Sequence, residues 1–172
     1  RLMATRIRLG MFDGDCEYDK LSILDNDTDD HHALAHRAAE SSMVLLKNDG
    51  VLPLSAGGKY LVAGEMFENM RYQGSGSSLV NPARLMTPKQ AFGARGISYT
   101  RDIAEADSCD AIIFFGGLTE KYEMEGGDRE DIAFPREQLE MLSVLAKTAK
   151  PIVAVLFGGS PMEVPFEDSV SA

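Results

Sequence analysis

Ala111-Ile112-Ile113-Phe114-Phe115, closed by Gly116, is an apolar run without polar alternation. A strand covered on one face alternates apolar and polar side chains, so an uninterrupted run predicts a strand buried on both faces. Tyr60 to Ala63, ending at Gly64, and Ile152 to Phe157, ending at Gly158, repeat the pattern. Between the second and third runs, Pro135 opens the stretch Arg136 to Ala149, where Leu139, Leu142, Val144, Leu145 and Ala146 supply an apolar helical face. A shorter helical stretch, Pro88 to Ala94, precedes a brief strand at Ile97 to Tyr99. Strand, helix, strand with short connections implies parallel pairing and right-handed crossovers. The fold class is therefore α/β, a three-layer sandwich around a mainly parallel, doubly wound sheet.

Upstream of these elements, apolar residues recur at helical spacing from His31 to Leu46. Leu34, Ala38 and Leu45 share one line, with Ala35, Ala39, Met43 and Leu46 beside it, and Lys47-Asn48-Asp49-Gly50 supplies the stop. The acidic stretch Asp25 to Asp30 suits an exposed linker that ends at this helix's N-terminus. The chain opens on Arg1 and runs out in mid-pattern at Val170-Ser171-Ala172, which is expected of a piece of something longer.

Composition removes several function classes. The 172 residues are 44% hydrophobic and 26% charged, as in an ordinary soluble domain. No apolar run approaches the ~20 residues that span a bilayer, so no membrane role is expected. Seventeen Lys and Arg against 27 Asp and Glu leave a net charge of −10, which repels phosphate backbones, so nucleic acid is not an expected partner. Cys16 and Cys109 lie far apart with no zinc-ligand spacing, and two free thiols lean toward the cytoplasm. His32 and His36 have the spacing of a shared metal, but Ala33 stands where HExxH requires Glu. Asp25, Asp27 and Asp29 resemble the start of a calcium loop, but Asp30 and His36 occupy the positions of its Gly and Glu. No metal or cofactor is expected.

In an open parallel sheet, ligands collect at the carboxyl ends of the strands. The loops there are Tyr72-Gln73-Gly74-Ser75-Gly76-Ser77-Ser78, the acidic segment holding Glu120, Glu123, Glu125, Asp128 and Arg129, and Gly158-Gly159-Ser160-Pro161. The glycine-serine turn lacks the Lys of a P-loop and the third spaced glycine of a dinucleotide fingerprint. It is either a turn that offers hydroxyls and amides to a polar ligand or a plain flexible turn. In the acidic segment, mutual repulsion and an apolar strand end could raise one carboxyl pKa into the range of a general acid. Spacing alone favours a solvent-facing loop with Asp128 and Arg129 paired.

Taken in order, Ala38-Ala39-Glu40-Ser41-Ser42-Met43-Val44-Leu45-Leu46-Lys47-Asn48-Asp49-Gly50, Leu52-Pro53-Leu54, Gln73-Gly74-Ser75-Gly76-Ser77-Ser78 and Glu125-Gly126-Gly127-Asp128-Arg129 resemble the second domain of family-3 glycoside hydrolases, the β-glucosidase and β-xylosidase group. Phe134-Pro135 with Gln138, and Val155 to Pro161, fit the same pattern. The resemblance implies a retaining β-glycosidase that hydrolyses terminal β-D-glucosyl or xylosyl residues of a β-linked glucoside or oligosaccharide. An N-terminal (β/α) barrel of the same parent chain would carry the nucleophilic aspartate, and this domain would lend the acid/base glutamate. That role falls on Glu123, two residues before the Glu-Gly pair, with Glu125 the close alternative and Glu120 third; Ser77 loosely matches a serine that faces the sugar. Residues 1–30 would be linker and barrel tail, and 31–172 the α/β sandwich domain, truncated at its C-terminal end. The chain has no tryptophan, so the Ser-Asp-Trp-like nucleophile segment is absent from it, and Phe166 stands where tryptophan commonly follows proline. On its own such a chain is expected to be inactive. The alternative is a non-catalytic α/β ligand-binding or structural module; a receiver domain is disfavoured because only Glu65 follows the first strand.

Overall fold

Parallel strands need helical crossovers, and the computed structural model, which describes residues 1–172 apart from the side chain of Glu17, provides them in one of its two units. The chain divides at Arg1–Val44 and Leu45–Ala172. The first unit contains α1 (Leu2–Arg8) and α2 (Asp29–Ser42). Thr28 caps α2, its hydroxyl accepting the His31 N–H at 3.3 Å, and Asp29 and Asp30 occupy the favourable first turn.

This helix is displaced from the span its spacing predicts. It ends at Ser42, whose hydroxyl donates to the Ala39 carbonyl at 2.8 Å, and Met43 is already extended at φ −73°, ψ 132°. Met43-Val44-Leu45-Leu46 is apolar at every position, so it fits a strand-like run as well as a helical stripe. These four side chains are 65–79% exposed in this chain.

The second unit holds β1 (Lys59–Ala63), α3 (Pro88–Ala94), β2 (Ser98–Thr100), β3 (Ala111–Gly117), α4 (Arg136–Ala146) and β4 (Ile152–Phe157). The strand order is β2-β1-β3-β4 and every pairing is parallel. Leu61 lies opposite Ile112, and Ile112 opposite Ile152. Alternate side chains feed two cores, as an unbroken apolar run requires. Leu61, Ile112, Phe114 and Ile152 pack with Leu142 and Leu145 of α4 and with Phe134 and Phe166; Tyr60, Val62, Ile113 and Phe115 pack with Phe67 and with Phe92 of α3. Helix, sheet and helix form the three layers.

Helix α3 starts on a capping box, Thr87 with Gln90, and has Pro88 in its first turn. Helix α4 stops at Ala146, short of the Ala149 boundary that its apolar pattern suggests. Thr148 donates both its N–H (3.0 Å) and its hydroxyl (2.8 Å) to the Leu145 carbonyl, and Ala149 turns left-handed at φ 56°. Among the described residues no helix is long and apolar enough to cross a membrane.

From β1 the chain passes to β2 on one side, then returns to β3 on the other. The order therefore reverses at β1 and β3, the position where a doubly wound sheet opens a crevice. Gly64 ends β1 at φ +90°, and a β-carbon there would run into the Phe115 carbonyl of β3. The two loops that bound the crevice thus leave strands in direct backbone contact.

Candidate active site

Three loops, one from each of β1, β3 and β4, converge on the carboxylate of Glu123. After β1 the chain makes the short turn Glu65–Phe67 and reaches Arg71, whose side chain is only 13% exposed. Its Nη1 lies 2.9 Å from Glu123 Oε2. The guanidinium also donates to the carbonyls of Gln73 (3.3 Å), Leu118 (3.4 Å), Thr119 (3.1 Å) and Glu123 itself (3.1 Å). From the loop after β4, the Gly159 N–H donates to Glu123 Oε2 at 2.9 Å and the Ser160 hydroxyl donates to Oε1. Burial pushes the Glu123 carboxyl up, but the Ser160 and Gly159 hydrogen bonds and the charges of Arg71 and Arg129 outweigh it, so the group sits below the ordinary carboxylate range.

Glu125 is placed differently. Met124 and Gly127 bridge across a four-residue turn, the Gly127 N–H donating to the Met124 carbonyl at 3.3 Å. Gly126 takes the third position at φ +81°, which leaves Glu125 exposed on the tip. The glycine-serine turn lies against it: the hydroxyl and backbone N–H of Ser77 both donate to the Glu125 carboxylate and lower its pKa. A β-carbon on Gly76, at φ +92°, would lie 2.5 Å from both the β-carbon and Oε2 of Glu125. Ser75 ties the same turn to the Glu123 carbonyl at 2.9 Å. Gly74–Ser78 and Glu120–Arg129, two of the loops the sequence places at the carboxyl ends of the strands, are therefore in direct contact.

Glu120 joins neither group. It lines a cleft of about 500 Å³ with Glu65, Arg71, Tyr72 and Lys121. Arg129 reaches past Asp128 to Ser160 Oγ (3.1 Å) and the carbonyls of Pro161 (3.0 Å) and Ala133 (3.4 Å), so it closes the acidic loop onto the β4 loop. Among the described residues no group of three or more His, Cys, Asp or Glu could hold a metal ion. What the arrangement offers is one carboxylate fixed as an anion and a second, accessible one two residues away.

Residues 43–172 match the family model described as the Glycosyl hydrolase family 3 C-terminal domain. The chain belongs to glycoside hydrolase family 3. The thermostable beta-glucosidase B of Acetivibrio thermocellus is 38% identical over 85% of the chain and 22% of its own length. A probable exo-1,4-beta-xylosidase of Aspergillus terreus is 32% identical over 95% of the chain and 24% of its own length. The crystal structure of the Bifidobacterium adolescentis GH3 beta-glucosidase superposes with a TM-score of 0.76 at 38% identity, over 84% of the chain and 24% of that protein. The chain thus spans about a quarter of the length of the relatives it matches.

Other residues that suggested the family-3 resemblance have defined places in the domain. Phe166, in the position expected for tryptophan, is buried and packs edge-on against Phe134 with ring centroids 4.8 Å apart. Gln138 is buried beneath the end of β3. Arg71 is the site residue that sequence reasoning missed; Gly159 and Ser160 lie in one of the three loops the sequence singles out, but their bonds to Glu123 are not expected from it. All three act on Glu123 from 52 and 36 or 37 residues away, and no local spacing signals such a contact.

Proposed function

We propose that this family-3 domain serves a retaining β-glycosidase that removes terminal β-D-glucosyl or xylosyl residues, and that it contributes the acid/base carboxyl of Glu125. The names of the relatives, a β-glucosidase and a probable xylosidase, support the reaction class. The contrast between the two glutamates carries the choice of residue. A general acid must hold a proton and reach the leaving oxygen. Glu123 accepts from a guanidinium, an amide and a hydroxyl, all of which favour its anion and occupy its oxygens. Glu125 stands exposed at the carboxyl edge of the sheet, on a turn anchored at Glu123. The role that the sequence resemblance ranks on Glu123 therefore passes to its alternative.

In a retaining glycosidase the two carboxyl groups lie about 5–5.5 Å apart, one attacking the anomeric carbon and one protonating the departing oxygen. The nucleophile would come from a barrel elsewhere in the parent chain. Its negative charge, brought beside Glu125, raises the Glu125 pKa, whereas the Ser77 donors lower it. Glu125 gives its proton to the leaving oxygen, then takes one from the water that hydrolyses the glycosyl-enzyme. The carboxyl pair does all the proton transfer and covalent work, so the mechanism calls for no metal or organic cofactor. Ser77, already bonded to Glu125, is the candidate polar contact at the sugar.

The test is leaving-group dependence in the full-length parent. Glu125→Ala should lower kcat/KM for an alkyl β-glucoside by roughly 10²–10⁴-fold, and far less for a dinitrophenyl β-glucoside, whose leaving group departs without a proton. An equal fall on both substrates, or a larger difference in Glu123→Ala, would assign the acid elsewhere.

A further inference from the structure

The Glu125 assignment leaves a second carboxylate, Glu123, with no proton to transfer and an unusual number of bonds. Its side chain is 11% exposed, its ion-pair partner Arg71 is 13% exposed, and neither lies on the accessible tip of the loop. Arg71 also holds the carbonyls of Leu118 and Thr119, the two residues that follow β3, so it fixes the start of the acidic loop as well as Glu123. One residue beyond Glu123 begins the turn that carries Glu125. The base of the turn that carries Glu125 is thus held by this ion pair, while the glycine-serine turn packs against its tip.

We propose that Arg71 and Glu123 are positioning residues, a latch that holds the Glu125 turn at the height from which its carboxyl meets the leaving oxygen. The inference rests on the assignment of Glu125 as the acid/base. A planar guanidinium serves where an ammonium would not, because its fork bonds the carboxylate and several carbonyls at once. Gly159 and Ser160 complete the latch from the β4 loop, so loosening any of its three sides lets the Glu125 carboxyl drift. A displacement of about 1 Å at a reacting group can cost on the order of 10²-fold in rate.

The experiment compares Arg71→Lys, Glu123→Gln and Ser160→Ala in the full-length parent, with Glu125→Ala alongside. Each latch variant should lower kcat for an alkyl β-glucoside by about 10–100-fold, with KM within about twofold and a much smaller loss on a dinitrophenyl β-glucoside. A merely structural role would reduce both substrates equally, in step with the loss of folded protein, and that result would overturn the latch. Ser160→Ala removes one hydrogen bond without stranding a buried charge, so it gives the comparison even if the charge variants fold poorly. If Glu125→Ala shows the leaving-group dependence and the latch variants do not, the latch fails alone. If Glu123→Gln shows the full dependence and Glu125→Ala none, the assignment of Glu125 fails with it.

Discussion

Gln138 grips Gly117 from both sides, its amide nitrogen donating to the glycine carbonyl and its amide oxygen accepting the glycine N–H, each at 2.8 Å. Gly117 is the last residue of β3, and its φ of +128° aims the chain into the acidic loop. A β-carbon there would collide with the Phe157 carbonyl of β4, so both the glycine and its clamp are dictated by the closeness of the neighbouring strand. Helix α4 thereby anchors the strand end from which the candidate catalytic loop departs.

Replacing Gln138 by Leu keeps the volume but leaves a buried N–H and a buried carbonyl unpaired. At about 1–3 kcal/mol for each orphaned group, the unit should lose roughly 3 kcal/mol of stability, measured by urea unfolding. A loss below about 1 kcal/mol would mean that water or backbone movement replaces the clamp.

Gly76→Ala imposes two costs at once, a left-handed backbone and a methyl group in the space of the Glu125 side chain. The Glu125 turn and the glycine-serine turn must separate. Activity of the full-length parent on alkyl β-glucosides should fall at least tenfold while the protein stays folded by circular dichroism; unchanged kinetics would show that the contact between the turns is dispensable.

Ser77→Ala removes the hydroxyl that helps hold the Glu125 carboxyl low, leaving only the backbone N–H. The pKa of the acid should rise, so its protonated form persists to higher pH. The basic limb of the kcat/KM profile should move upward. A limb that moves downward or stays fixed would detach Ser77 from the ionisation of the acid.

For Glu123 the folded pKa lies below its unfolded value of about 4.3. Its anion therefore stabilises the fold fully above that value, and the contribution disappears as the pH falls through the lower, folded value. Between about pH 5 and pH 3 the wild-type domain should lose stability more steeply than Glu123→Gln, a difference that cancels the carboxylates common to both. Parallel curves would mean that the Ser160 and Gly159 hydrogen bonds and the Arg71 charge contribute nothing.

The apolar runs specified the interior strands β1 and β3 because two-faced burial leaves a local trace, every residue apolar and a glycine at the end; Ile152–Phe157 carries the same trace, yet β4 lies at the edge of the sheet and is only half-buried from Ala154 on. Helical spacing misled at Met43–Leu46, where it coincides with an unbroken apolar run and the backbone turns extended after Ser42. Nearness of the glycine-serine turn to the acidic loop follows from topology, since both leave adjacent strands at the same edge. The distinction between Glu123 and Glu125 does not. Two glutamates two residues apart look alike in sequence, and only Arg71, Gly159 and Ser160, brought from other loops, make one a bound anion while the other remains accessible.

Azide addresses the central assignment most directly, because it attacks a glycosyl-enzyme without a general base. In full-length Glu125→Ala the intermediate formed from a dinitrophenyl β-glucoside should accumulate, and added azide should restore turnover and release the β-glycosyl azide, with retained configuration. Glu123→Ala, which still has its acid/base, should show no such rescue. Rescue confined to Glu123→Ala would return the role to that residue and contradict the account.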